Sequence, residues 1–117
     1  MASQQVYGFC RDKTAGHRTA TLLSLCVEEL TVNILRHGLS GESRPHNIDL
    51  RLVAQGEQWV LRIRDDCQQF DPLHYLELHR DEDPCAHIGL RMVMGMVQEA
   101  NYVNSLGLNH LTLTVSR

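Results

Sequence analysis

The sequence predicts an α+β fold, a two-layer sandwich with helices packed on one face of a mostly antiparallel, mixed sheet. Three observations predict it. A long amphipathic helical pattern runs over residues 17–37, two alternating runs read as one hairpin and a short run followed by a third alternating run as another, and a shorter helical pattern stands between those hairpins.

Taken in order, residues 3–12 carry a weak helical face made of Val6, Phe9 and Cys10, which breaks near Ala15-Gly16. In the long helix, Leu23, Val27, Leu30 and Ile34 recur at helical spacing and define its core face, and Gly38 follows the last periodic residue, where a left-handed helix end favours glycine. Residues 39–46 are rich in turn formers and predict an exposed loop. Ile48, Leu50 and Leu52 then alternate with Asp49 and Arg51, and Trp59, Leu61 and Ile63 alternate with Arg62 and Arg64, joined at Gln55-Gly56-Glu57. One apolar face per strand implies a sheet covered on one side. Residues 73–88 are polar and aperiodic, and 74–87 are expected to be the most mobile internal segment. Leu90, Val93 and Val97, with Met94 beside them, predict a second helix opened by Gly89. A short run at Tyr102-Val103, a turn around Gly107 and the alternation of Leu111, Leu113 and Val115 complete a last hairpin.

Beside the core face of the long helix runs a second stripe, Glu29, Asn33 and His37, at the border of the core. Asparagine is a poor helix-interior residue because its side chain competes for backbone hydrogen bonds. A half-buried carboxylate beside it is costly unless partnered. One reading is a tolerated polar edge, with His37 helping the last helical carbonyls. The other is a magnesium-nucleotide site. Asn33 would then offer an amide oxygen to a hard cation, while Glu29, one turn earlier and about 5.4 Å away along the axis, orients or deprotonates an attacking hydroxyl or water.

Composition narrows the class. The chain has 117 residues, which predicts one domain spanning 1–117 with a real core, and its 21% charged and 43% hydrophobic residues are ordinary for a soluble globular protein. A net charge of −3 and a single lysine, Lys13, argue against non-specific nucleic-acid binding. No apolar run approaches the roughly 18 residues of a membrane span, and no signal-peptide pattern opens the chain, so a cytoplasmic location is expected. The four cysteines show no Cys-x-x-Cys spacing and read as reduced and structural. His79, Cys85 and His87 follow no spacing with a known ligand geometry. His79-Arg80-Asp81 copies three letters of the protein-kinase catalytic loop, but Ala86 stands where that loop needs asparagine.

Three stretches then line up with one family. Glu29 to Gly38 resembles the N-box of the Bergerat-fold ATPases, the superfamily of gyrase and the sensor histidine kinases. Asp65-Asp66-Cys67-Gln68-Gln69-Phe70-Asp71-Pro72 resembles the first glycine box, and Ile88-Gly89-Leu90 with Met92-Val93 resembles the second. Residues 100–115 are similar to the closing strands, and the subfamily most like this chain is the anti-sigma-factor serine kinases. The resemblance implies the Bergerat fold and an ATP-binding regulatory serine/threonine kinase that phosphorylates a small antagonist protein. It makes Glu29 the catalytic base and Asn33 the Mg2+ ligand. Asn33, His37, Asp65, Cys67, Phe70, Gly89, Leu90 and Arg91 fall to the ATP site, with Asp65 accepting the adenine amino group. Gly89 would let the backbone approach phosphates at a helix N-terminus, a geometry with its own physical sense.

It also implies a protein partner, antagonist or sigma factor, and allows a homodimer. Family members carry an extra N-terminal strand before the first helix, which suggests a domain excised from a longer chain. The chain departs from the pattern at Cys67 and His87, where glycines are expected, and no lysine is available for the phosphates. These departures keep an alternative alive, a degenerate module that binds protein partners with weak or no nucleotide binding.

Overall fold

The computed structural model describes residues 3–5, 16–38, 46–83 and 85–116. Most of the helical face expected over residues 3–12, and most of the loop expected over 39–46, lie outside them.

The long helix, α1, is His17–Gly38. Its predicted core residues are buried: Leu23, Val27, Leu30 and Ile34, joined by Ala20 and Cys26. Burial pushes the Cys26 thiol up to about 12, so it behaves as a small apolar side chain. The first hairpin is β1 (Ile48–Gln55) and β2 (Gln58–Asp65), paired from Ile48↔Asp65 to Gln55↔Gln58. The second is β3 (Glu99–Ser105) and β4 (Leu108–Ser116). β3 is longer than the Tyr102-Val103 run because its residues alternate without strong apolar character, their ladder being supplied by β4. The turn between them places Leu106 at φ 55° and Gly107 at φ 76°, the pair of left-handed residues that a tight two-residue hairpin requires.

The sheet order is β1-β2-β4-β3, and the three pairings among the described residues are all antiparallel. Trp59, Leu61 and Ile63 of β2 and Leu111, Leu113 and Val115 of β4 join the α1 residues in one core. Arg62 and Arg64 point to the opposite, exposed side, so one face is covered as the alternation requires.

Two helices lie between the hairpins. The polar, aperiodic stretch expected over 73–88 begins with a helix, α2 (Pro72–Leu78). Asp71 supplies the local reason: its Oδ1 accepts from the backbone N–H of Leu73 at 2.9 Å and His74 at 3.3 Å, and Pro72 occupies the first turn, where no N–H is needed. The next helix, α3 (Ile88–Met96), opens at His87 rather than Gly89, and buries Leu90 and Val93. Among the described residues, no helix is long and apolar enough to cross a membrane.

Candidate functional site

The inward register of β2 runs Trp59, Leu61, Ile63 and ends on Asp65, which is therefore buried at the edge of the core. The inward register of β4 runs back from Val115 through Leu113 and Leu111 to Asn109, which stands directly opposite Asp65. Two polar residues thus meet where two apolar rows end. Asn109 Nδ2 donates to Asp65 Oδ1 at 2.8 Å and to the carbonyls of Cys67 and Gln68 at 3.2 Å. Its Oδ1 accepts from Asn104 Nδ2 at 3.1 Å and from the Tyr102 hydroxyl, whose pKa burial raises. The Cys67 amide adds a further bond to Asp65 Oδ1, at 3.0 Å. Among the described residues these donors all use Oδ1.

On α1, Asn33 is buried, while Glu29 and His37 are half-buried, the border position expected of the stripe. Asn33 Nδ2 donates to the Glu29 carbonyl at 2.8 Å, one turn back. That bond fixes the amide and keeps Oδ1 as its available acceptor. Asn33 is the hinge between two spaces. A cleft of about 430 Å³ is lined by Glu29, Asn33, Arg36, His87, Gly89 and Leu90, among others. A second, narrow crevice of about 10 Å³ is bounded by Asn33, Asp65, Phe70, Pro72, Tyr102 and Asn109 together with Leu30, Ile34 and Leu111. It has room for about one water molecule.

Glu29 and Gly89 meet in the cleft. A Cβ built on Gly89 would fall inside the Glu29 carboxylate, 2.7 Å from Oε1 and closer still to Oε2 and Cδ. Only glycine lets the start of α3 approach Glu29 this closely. The carboxylate consequently lies at a helix N-terminus, where backbone amides favour negative charge.

The segment from α2 to α3 closes over the end of α1 through rings. His37 stacks on Phe70 with centroids 4.6 Å apart, Tyr75 lies 4.9 Å from His37 and 5.0 Å from His87, and His79 lies 4.4 Å from Tyr75. Burial lowers the His37 pKa first, with Arg36, His87 and His79 adding to the effect. His79 Nδ1 bonds Glu82, which holds the Glu82 carboxyl below its ordinary value. His87 has φ 56°, a conformation glycine adopts freely, which matches the glycine expected there. Cys67, by contrast, is not among the described residues with positive φ, so the thiol adds bulk without left-handed strain.

The structure therefore brings Glu29, Asn33, Gly89 and Leu90 to one cleft, and Asn33, Asp65 and Phe70 to the adjoining crevice. His37 covers Phe70, and Cys67 is buried behind Asp65. Arg91 turns to another task. Its Nε donates to the Ala86 carbonyl at 2.7 Å and its Nη2 to the His79 carbonyl at 2.6 Å, so it clasps both ends of the segment between α2 and α3. Sequence reasoning missed Asn109, Tyr102 and Tyr75. The signal for Asn109 was present, since extending the Leu111, Leu113, Val115 alternation back by two residues lands on it. His79 and His87, unconnected by any linear pattern, do come together, with Glu82 rather than Cys85 as their third member.

Residues 3–115 match the family described as histidine kinase-like ATPase domain. No curated protein matches the chain. Among solved structures, it is similar to the histidine kinase domain from Erythrobacter litoralis EL346 blue-light activated histidine kinase, with TM-score 0.64 and 18% identity over 87% of this chain and 46% of that one. A second structure of the Erythrobacter litoralis EL346 blue-light activated histidine kinase gives TM-score 0.63 and 20% identity, over 86% of this chain and 31% of that one. The Acinetobacter baumannii histidine kinase AdeS gives TM-score 0.54 and 16% identity, over 83% and 46%. The chain thus spans less than half the length of each of these structures, and at such identities the likeness is one of fold. With the family matched along nearly its whole length, the chain belongs to the histidine kinase-like ATPase domain family.

Proposed function

We propose that the chain binds Mg-ATP and acts as a regulatory protein serine/threonine kinase of the anti-sigma-factor type, its substrate a hydroxyl on a small antagonist protein. The observation that carries this reading is the convergence of Glu29, Asn33 and Gly89 on one cleft at the N-terminus of α3. The donor set fits the nucleotide. Asn33 Oδ1 suits Mg2+, a hard cation with oxygen ligands. The bare backbone at Gly89 suits phosphates, and the buried Asp65 carboxylate suits an amino group of the base. When bound, Mg-ATP supplies the phosphoryl group and the charge neutralisation its transfer needs. The chain's own part is positioning and proton removal: Glu29, held beside Gly89, takes the proton of the attacking hydroxyl. The crevice beside Asp65 is too narrow for a base, so in this reading Phe70 and Pro72, which line it, move aside when nucleotide enters.

The second reading, a partner-binding module without nucleotide, draws on that narrow crevice and on Arg91, whose guanidinium is engaged by carbonyls. Thermal unfolding with Mg-ATP separates the two. At a hundred times Kd, a ligand of the native state adds about 2.7 kcal/mol, on the order of 10 °C in Tm for a domain of this size. The kinase reading expects that shift in wild type and in Glu29→Ala, much less of it in Asn33→Ala, and phosphoryl transfer abolished in Glu29→Ala. An unchanged Tm in wild type at millimolar Mg-ATP would favour the module.

A further inference from the structure

We propose that His46, Asp66 and Cys67 form a zinc site behind the adenine-side carboxylate, separate from the Asn33 cleft. Three observations meet there. Candidate ligand atoms of the three side chains lie within 4.8 Å of one another. Among the described residues neither buried ring nitrogen of His46 makes a hydrogen bond, Nδ1 having only Asp66 Oδ1 at 3.5 Å, and the side chain is only 10% exposed. Such orphaned polar atoms are rare in folded proteins, and an ion is one of the few things that satisfies them. Thirdly, the donor set is imidazole, carboxylate and thiol, the three ligand types that Zn2+ takes, with the thiol of Cys67 selecting against Mg2+ and Ca2+.

The geometry is close to what zinc needs. Tetrahedral bonds of about 2.0–2.3 Å put ligand atoms ~3.5 Å apart, and His46 Nδ1 already lies 3.5 Å from Asp66 Oδ1. The backbone fixes the ligands from two directions. Asn47 N–H donates to Asp66 Oδ1 at 2.8 Å and the Asp66 N–H to the Asn47 carbonyl at 3.3 Å, tying the start of β1 to the end of β2. An outer-shell donor of this kind orients a ligating carboxylate. The Asp66 side chain is 24% exposed and gives the ion a way in, while Cys67 is buried. On binding, the Cys67 thiol releases its proton to solvent and the sulfur bonds to zinc as thiolate, and three protein ligands leave one tetrahedral position for water. Because the Cys67 amide holds Asp65 Oδ1, the ion would stiffen the turn that carries the buried carboxylate.

The test uses reduced protein freed of metal with a chelator, titrated with Zn2+ and with Co2+ as a spectroscopic stand-in. One equivalent of Co2+ should give a thiolate-to-cobalt charge-transfer band. The band should vanish in Cys67→Ser, persist in Cys85→Ser, and persist in His79→Ala, which disables the other cluster, His79, Glu82 and His87. His46→Ala should weaken Zn2+ binding on the order of 100-fold or more, judging from the cost of lesser changes around metal ligands. A cobalt complex without the thiolate band, a band that survives Cys67→Ser, or zinc affinity unchanged in His46→Ala would overturn the proposal. If His46→Ala fails to fold by circular dichroism, the wild-type cobalt spectrum and its loss in Cys67→Ser decide the matter.

Discussion

Gly89→Ala is the most direct probe of the cleft. The new Cβ would sit 2.7 Å from Glu29 Oε1 and nearer still to Oε2 and Cδ. Ordinary contact between such atoms is about 3.5 Å, so the carboxylate must retreat by about 1 Å or more. It can do so, because it is the far end of a flexible side chain on a cleft wall. Misplacing a reacting group by about 1 Å costs on the order of 100-fold in rate. Position 89 is helical, within α3, where alanine is favoured over glycine by about 0.5–1 kcal/mol. The substitution should therefore leave the fold as stable as wild type, or slightly more so, while ATP turnover with Mg2+ falls about 100-fold. Turnover is read from phosphate release or phosphopeptide formation, and stability from urea unfolding. Turnover within about threefold of wild type would refute the placement of Glu29 as base. A stability loss of several kcal/mol would refute the view that Glu29 is free to swing away.

Three further outcomes are expected. Asn109→Ala removes the common partner of Asp65, Tyr102, Asn104 and two carbonyls, and should destabilise the fold by about 2–3 kcal/mol in urea unfolding; less than about 1 kcal/mol would mean that water replaces the amide at no cost. His37 has a pKa below its ordinary 6.5, lowered first by burial, so the unfolded chain binds that proton more readily than the folded one; its contribution to stability is complete above 6.5 and lost as pH falls below it, and a Tm profile from about pH 8 to about pH 5 should be flatter in His37→Gln than in wild type. Leu106 is 98% exposed at φ 55° before Gly107, so Leu106→Asn should raise stability by about 1 kcal/mol, seen as a higher urea midpoint at constant slope; no rise would mean that the turn is not strained by leucine.

The parts of the fold legible in the sequence are those with a single strong period. Leu23, Val27, Leu30 and Ile34 name the buried face of α1 without help from the rest of the chain, and Trp59, Leu61 and Ile63 do the same for β2. β3 was only half visible because its partner, not its own residues, makes it a strand. α2 was hidden because seven residues are too few to show a period, and its start depends on a cap, Asp71, rather than on apolar spacing. Contacts between distant segments leave no linear trace at all. His46 meets Asp66 and Cys67 only because the β1–β2 hairpin returns the chain to its start. His79 and His87 meet where Arg91 bonds the carbonyls at both ends of the segment between them and Tyr75 contacts both rings.

The candidate site was legible where a residue broke the local rule. Asn33 and Glu29 stand out as polar groups beside a core stripe, whereas Asp65 entered through the resemblance of residues 65–72 to a glycine box, although it also ends an apolar row. Asn109 broke the same rule and carries as much of the geometry. Its position argues why the site lies at this end of the sheet. Inward positions on β2 and β4 are apolar along their length and become polar together at one cross-strand pair, Asp65↔Asn109. A lone buried carboxylate there would be expensive, and a lone buried amide only somewhat less so. Paired, each satisfies the other, and Asn109 also gathers the carbonyls of the turn that follows Asp65. The cost of burying Asp65 is thus offset within the sheet through Oδ1, and the residue stands on the wall of the crevice. Both residues also line the crevice beside Asn33, so under the proposed reading the pair that satisfies the buried carboxylate also holds it where a base would enter.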